Sequence, residues 1–131
     1  MSETYYWLTT KEVIALHFEI IKDYGGKSGI LDEGALESTL FRPQQLAYYQ
    51  SYSNLYDLTA AYGYGLVKNH CFVDGNKRIA FVVMAVFLLR NGYELIATEV
   101  EAVDIMIDLA LGNITQSELA LWLTNNSVRV T

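Results

Sequence analysis

The sequence predicts an all-α fold, a compact single-domain bundle of about six helices with a buried central helix. Three observations carry that prediction. Apolar residues recur at helical spacing over much of the chain, as at Val13, Leu16, Ile20 and Ile21. Capping-box spacings, a threonine followed three residues later by glutamate, occur at Thr9/Glu12 and Thr115/Glu118. The uninterrupted apolar run from Ile79 to Leu89 stops at Asn91-Gly92, as a buried helix would. With 131 residues, 52% of them hydrophobic and 18% charged, the chain can bury a core without metal or disulfide staples. Residues 1–131 therefore read as one domain, with no internal repeat, linker or low-complexity tract.

The first helix begins at Thr9, carries Val13, Leu16, His17, Ile20, Ile21 and Tyr24 on one face, and stops at Gly25-Gly26. His17 lies on the apolar stripe and reads as a packed, hydrogen-bonded core histidine. The loop GGKSGILDEG, residues 25–34, follows; its glycines match neither P-loop nor dinucleotide spacing, so it reads as a turn-rich connection. Asp32 caps a second helix, expected to end near Phe41 because Arg42 precedes Pro43. The segment Leu46–Tyr56, rich in Tyr, Gln and Ser, reads as half-buried with tyrosine hydroxyls reaching water. A third helix spans Asp57–Asn69. Its Gly63 and Gly65 each cost about 1 kcal/mol of helix propensity relative to alanine, which makes sense where another helix packs closely.

The fourth helix, Asn76–Asn91, is the central one. β-Branched Ile79, Val82, Val83 and Val86 would also suit a strand, but the length and the stop favour helix. Tyr93–Ala97 reads as a brief extended segment. Thr98 starts a fifth helix that ends near Gly112, and Thr115 a sixth that ends near Asn125.

Charge and cysteine content narrow the function classes. The net charge of −6 and pI of about 4.7 exclude general nucleic-acid binding and docking on anionic lipid. Glu94, Glu99, Glu101, Asp104, Asp108 and Glu118 occupy a stretch with no base and read as a solvated helical surface. Three of the nine basic residues, Lys68, Lys77 and Arg78, instead crowd around one point. A single cysteine cannot form an internal disulfide, the N-terminus does not look like a signal peptide, and no apolar run approaches the roughly 20 residues of a membrane span. The expectation is a cytoplasmic protein.

That one point is the stretch HCFVDGNKR, residues 70–78. Gly75 permits a backbone conformation closed to other residues and a close approach of ligand. Asn76, Lys77 and Arg78 open a helix, whose first turn offers free N–H groups and the positive end of the helix dipole. Such a terminus suits phosphate, and Arg78 can fork onto two oxygens while Lys77 acts as a mobile point charge. Asp74, set against an anion site, suits a Mg²⁺ ion shared with phosphate oxygens. His70 can take a proton from an attacking hydroxyl. Phe72 should point inward and pin the loop. Cys71 has His70 and Lys68 as neighbours, but a lone cysteine beside apolar residues is more often inert. The plain alternative is a well-capped helix start with exposed charges. Five functional residue types within nine positions favour a nucleotide or phosphate site with a histidine base.

HCFVDGNKR resembles the Fic motif HxFx[D/E]GNxxR of the Fic/Doc superfamily, and is closest in pattern to its death-on-curing (Doc) toxin branch. Further segments are similar: Leu16-His17, Asp23-Tyr24-Gly25-Gly26, Gly29–Leu36, Leu66–His70 and Phe87–Tyr93. The resemblance weakens after about Ala97. Common Fic sequences read GNGR where this chain reads GNKR. In AMP-transferring Fic enzymes that second glycine leaves room for a phosphate; in Doc-like toxins a lysine stands there and the ATP γ-phosphate is transferred. The resemblance implies His70 as general base, Asp74 as the Mg²⁺-linked carboxylate, and Gly75, Asn76, Lys77 and Arg78 as phosphate-binding, with Lys68 nearby. It also implies ATP as co-substrate, a Ser or Thr of a translation factor such as elongation factor Tu as target, and a cognate antitoxin as partner. Cys71 replaces a proline common at its place. No segment matches the inhibitory-helix pattern [S/T]xxxE[G/N], which fits control by a separate antitoxin. An AMP transferase and a non-catalytic binding protein remain as alternatives, the latter using Tyr48–Tyr56 and the acidic half as its surface.

Overall fold

In the computed structural model, which describes residues 4–130, six helices occur in the order α1 (Thr10–Tyr24), α2 (Glu33–Tyr49), α3 (Leu55–Asn69), α4 (Asn76–Arg90), α5 (Glu99–Ala110) and α6 (Gln116–Asn125). Two three-residue strands, β1 (Tyr93–Leu95) and β2 (Ser127–Arg129), pair antiparallel with Tyr93 opposite Arg129 and Leu95 opposite Ser127. Four helices begin with full capping boxes: Thr9/Glu12, Asn54/Asp57, Thr98/Glu101 and Thr115/Glu118. The Asn54/Asp57 box starts α3 two residues before the expected Asp57.

The core is one cluster in which α3 packs against α2, α4, α5 and α6. Close approach requires the α3 glycines. A methyl group on Gly63 would collide with the side chain of Met84 in α4, and one on Gly65 would lie 3.0 Å from Thr39 Cγ2 in α2. The helix-packing reason inferred for both glycines is therefore met on two opposite neighbours. In α4, Ile79, Ala80, Val83, Met84, Phe87 and Leu88 are buried, while Phe81, Val82 and Val86 are half-buried and Leu89 is exposed. Apolar composition all round the helix thus serves one core face and a partly covered flank.

Two expectations fail. The second helix does not end at Arg42-Pro43 but continues to Tyr49 with Pro43 inside it. Burial of Leu36, Leu40 and Pro43 against the core outweighs the lost backbone hydrogen bond of proline. The tyrosine-rich segment is also only half-buried at its ends: Leu46, Ala47 and Tyr56 pack partly against the core and Leu55 is buried, but Tyr48, Tyr49 and Tyr52 between them are about four-fifths exposed, at 81%, 79% and 81%. The extended segment at Tyr93 is found, whereas its partner β2 lay unrecognised in Ser127–Arg129. No helix among the described residues is long and apolar enough to cross a membrane.

Candidate active site

The loop between α3 and α4 sorts its residues by side. Cys71, Phe72 and Asn76 are buried, whereas His70, Asp74, Lys77 and Arg78 are exposed. The inward residues fix the loop. The Asn76 side chain accepts a hydrogen bond from the Phe72 N–H (3.1 Å) and donates one to the Phe72 carbonyl (2.9 Å). Its amide side chain is thus engaged with the loop backbone, and its own N–H in the first turn of α4 is what it offers outward. His17 stacks on the Phe72 ring at 3.8 Å and donates its Nε2–H to the Asp74 carbonyl at 2.7 Å. The expected core histidine is confirmed, and its partner is the motif itself.

The 25–34 loop braces the other side. Ile30 and Phe72 form an antiparallel bridge; Leu31 N–H donates to the Cys71 carbonyl (2.7 Å) and Val73 N–H to that of Gly29 (3.0 Å). Lys27 N–H donates to Asp74 Oδ2 at 2.9 Å. These contacts give the glycine loop a definite job that its composition alone did not reveal.

Gly75 caps α4 in the left-handed conformation (φ 77°, ψ 19°) and makes no side-chain cap. The other five helices each carry an acidic residue in the first turn, complementing the helix dipole; α4 carries none and places Lys77 and Arg78 there. Cations at the positive end of a helix repel it, so the first turn of α4 carries charge that its own residues do not offset. His70 closes α3 with φ 47° and ψ 57°, the one non-glycine residue with positive φ among those described. That conformation is costly for a side chain other than Gly, Asn or Asp, and here it turns the chain between the imidazole and the loop.

Arg78 lies over the Tyr24 ring, 3.7 Å from its centroid. Lys68 goes elsewhere: its ammonium is 5.6 Å from the Tyr64 centroid and leans toward Gly112, beyond α5. No contact joins it to the motif loop among the described residues. Cys71 is buried with its sulfur 3.8 Å from Thr39 Oγ1, and burial pushes its thiol pKa up, which matches the inert reading.

No group of three or more potential metal ligands occurs among the described residues. Asp74 offers one carboxylate, with Oδ2 occupied by Lys27 N–H. This donor set fits Mg²⁺ only as an ion shared between Asp74, phosphate oxygens and water.

A helical domain whose α3–α4 loop presents a histidine, a carboxylate and an uncapped basic helix start defines the class of Fic-motif proteins. The Fic/DOC family model matches residues 7–88, and the chain belongs to that family. Its Doc branch is supported by two relatives. Protein kinase doc of Escherichia phage P1 is 34% identical over 113 residues, covering 86% of this chain and 89% of that protein. Toxin Doc of Mycolicibacterium smegmatis is 40% identical over 75 residues, covering 56% of this chain and 58% of that protein.

Proposed function

We propose that this protein is the cytoplasmic toxin of a toxin–antitoxin pair and transfers the γ-phosphate of ATP to a Ser or Thr hydroxyl of a translation factor, elongation factor Tu being the first candidate. The observation that carries the reading is the α4 terminus. It alone of the six helices lacks both a side-chain cap and a first-turn acid, and it holds Lys77 and Arg78 in their place. The names of the phage and mycobacterial relatives add support for a kinase and a toxin.

Each residue then has a task. His70 accepts the proton of the target hydroxyl as its oxygen bonds to the γ-phosphorus. Arg78 and the first N–H groups of α4 hold phosphate oxygens, and Lys77 meets charge that grows on the transferred group and the departing ADP. Asp74 would hold Mg²⁺ against the phosphates, where the ion supplies charge neutralisation. His17 and the Asn76 side chain keep the loop in register and touch no substrate.

The test is incubation with ATP, Mg²⁺ and purified elongation factor Tu, followed by intact-mass measurement of the target. A gain of one phosphoryl group, absent with His70→Ala, supports the reading. A gain of a whole adenylate identifies an AMP transferase. Growth arrest that survives loss of both His70 and Arg78 identifies a protein that acts by binding. Co-expression of the adjacent gene's product should relieve toxicity.

A further inference from the structure

One face of α1 follows the motif from Phe72 to Arg78. His17, Ile21 and Tyr24 are spaced i, i+4 and i+7, which places them on one side of the helix. His17 donates to the Asp74 carbonyl. Ile21 Cδ1 lies 3.4 Å from where a methyl group on Gly75 would sit. Tyr24, the last residue of α1, carries the Arg78 guanidinium on its ring at 3.7 Å. The first two contacts are made with buried or half-buried groups and act through the loop backbone. The third is different, because Tyr24 is 68% exposed and therefore contributes little to the core.

An exposed ring under a guanidinium has one evident consequence. Arginine side chains are long and rotamer-rich, and a stacked partner restricts the plane of the guanidinium while leaving its N–H edge open to a ligand. Arg78 thus rests one guanidinium face on Tyr24, and its N–H edge remains available for phosphate oxygens. We propose that Tyr24 is a positioning residue that pre-orients Arg78 for phosphate, so that part of the affinity for the nucleotide is set by a residue at the end of α1, outside the HxFx[D/E]GNxxR motif. The inference deepens the phosphotransferase reading and rests on it for the ligand. It needs the ring face, since the contact is made there and not by the hydroxyl.

The experiment compares wild type, Tyr24→Phe, Tyr24→Leu, Arg78→Ala and the Tyr24→Leu/Arg78→Ala double variant. ATP affinity is measured by calorimetry with Mg²⁺, and the Arg78 Nε–H resonance by NMR. Tyr24→Leu should weaken ATP about fivefold, on the scale of one exposed cation–π contact, and move the Arg78 resonance out of its ring-current position. Tyr24→Phe keeps the ring and should keep both properties. The thermal midpoint should be the same in all three, because Tyr24 is exposed. The double variant should bind no more weakly than Arg78→Ala alone, since Tyr24 acts only through Arg78.

Wild-type affinity in Tyr24→Leu overturns the inference, as does an additive loss in the double variant. Tighter binding in Tyr24→Leu also overturns it, because the stack would then hold Arg78 away from the ligand. If wild type itself binds no ATP, the nucleotide reading fails, and the role of Tyr24 fails with it. If wild type binds and only the Tyr24 comparison comes out flat, the nucleotide reading stands and the Tyr24 role alone is lost.

Discussion

The Nε2 of His17 lies 2.7 Å from the carbonyl oxygen of Asp74, fifty-seven residues along the chain. A carbonyl only accepts, so the imidazole carries its proton on Nε2. Together with the stack on Phe72 at 3.8 Å, this bond ties the first helix to the loop that holds the candidate chemistry.

His17→Leu should therefore unfix that loop. It leaves the part-buried Asp74 carbonyl without its donor and should lower stability by about 1 kcal/mol, the usual net worth of one hydrogen bond. His17→Gln should recover much of this, because its amide nitrogen can reach the same oxygen. Urea midpoints and transfer rates of the two variants check the claim. Equal losses in both would mean that the hydrogen bond does not hold the loop.

Much of this arrangement was legible from the chain. The capping-box spacings at Thr9 and Thr115, and Thr98 read as a helix start, placed three helix starts, because such side-chain hydrogen bonds are local. Gly63 and Gly65 announced close helix packing, and Met84 and Thr39 prove to be the neighbours. The motif named His70, Asp74, Lys77 and Arg78, which face outward, but it also assigned Asn76 to phosphate, and that side chain is buried on the Phe72 backbone. What escaped was long-range. Pro43 looked like a stop, since the tertiary burial that carries α2 past it has no local signature. The bracing of Asp74 by Lys27 N–H is a backbone contact and leaves no mark on residue type. Lys68 looked like part of the site by its proximity in sequence, but one side of α3 sends it to Tyr64. Tyr24 was readable as a stripe residue, seven positions after His17, and Arg78 as a phosphate-binding residue, while their pairing was not.

His70 sits in left-handed backbone that disfavours a branched or bulky side chain. His70→Asn should raise stability by about 0.5–1 kcal/mol, since asparagine tolerates that conformation better, and should end phosphate transfer. His70→Val should lower stability and also end transfer. Denaturation midpoints for the pair check the sign. An unfolding midpoint that drops in His70→Asn would contradict the assignment of local strain to this position.

Glu12 accepts hydrogen bonds from Arg90 and from Thr9, and these hold its pKa down at about 2, against an ordinary value of 4.5. Because the folded value is the lower one, the contribution to stability is complete above pH 4.5 and is lost as pH falls through about 2. The pair is partly exposed, so the contribution is under about 1 kcal/mol. Glu12→Gln retains the capping geometry without the charge. Its stability should fall less steeply than wild type across that acid range. Superimposable pH–stability curves would show that the Arg90–Glu12 contact does not contribute.

The central claim, that the α4 terminus with Lys77 and Arg78 directs phosphate transfer, is tested most directly by the mass added to purified elongation factor Tu in the presence of ATP and Mg²⁺. Wild type should add one phosphoryl group, and His70→Ala or Lys77→Gly should add no mass. A whole adenylate, or an equal yield of phosphorylated product from Lys77→Gly, would contradict it.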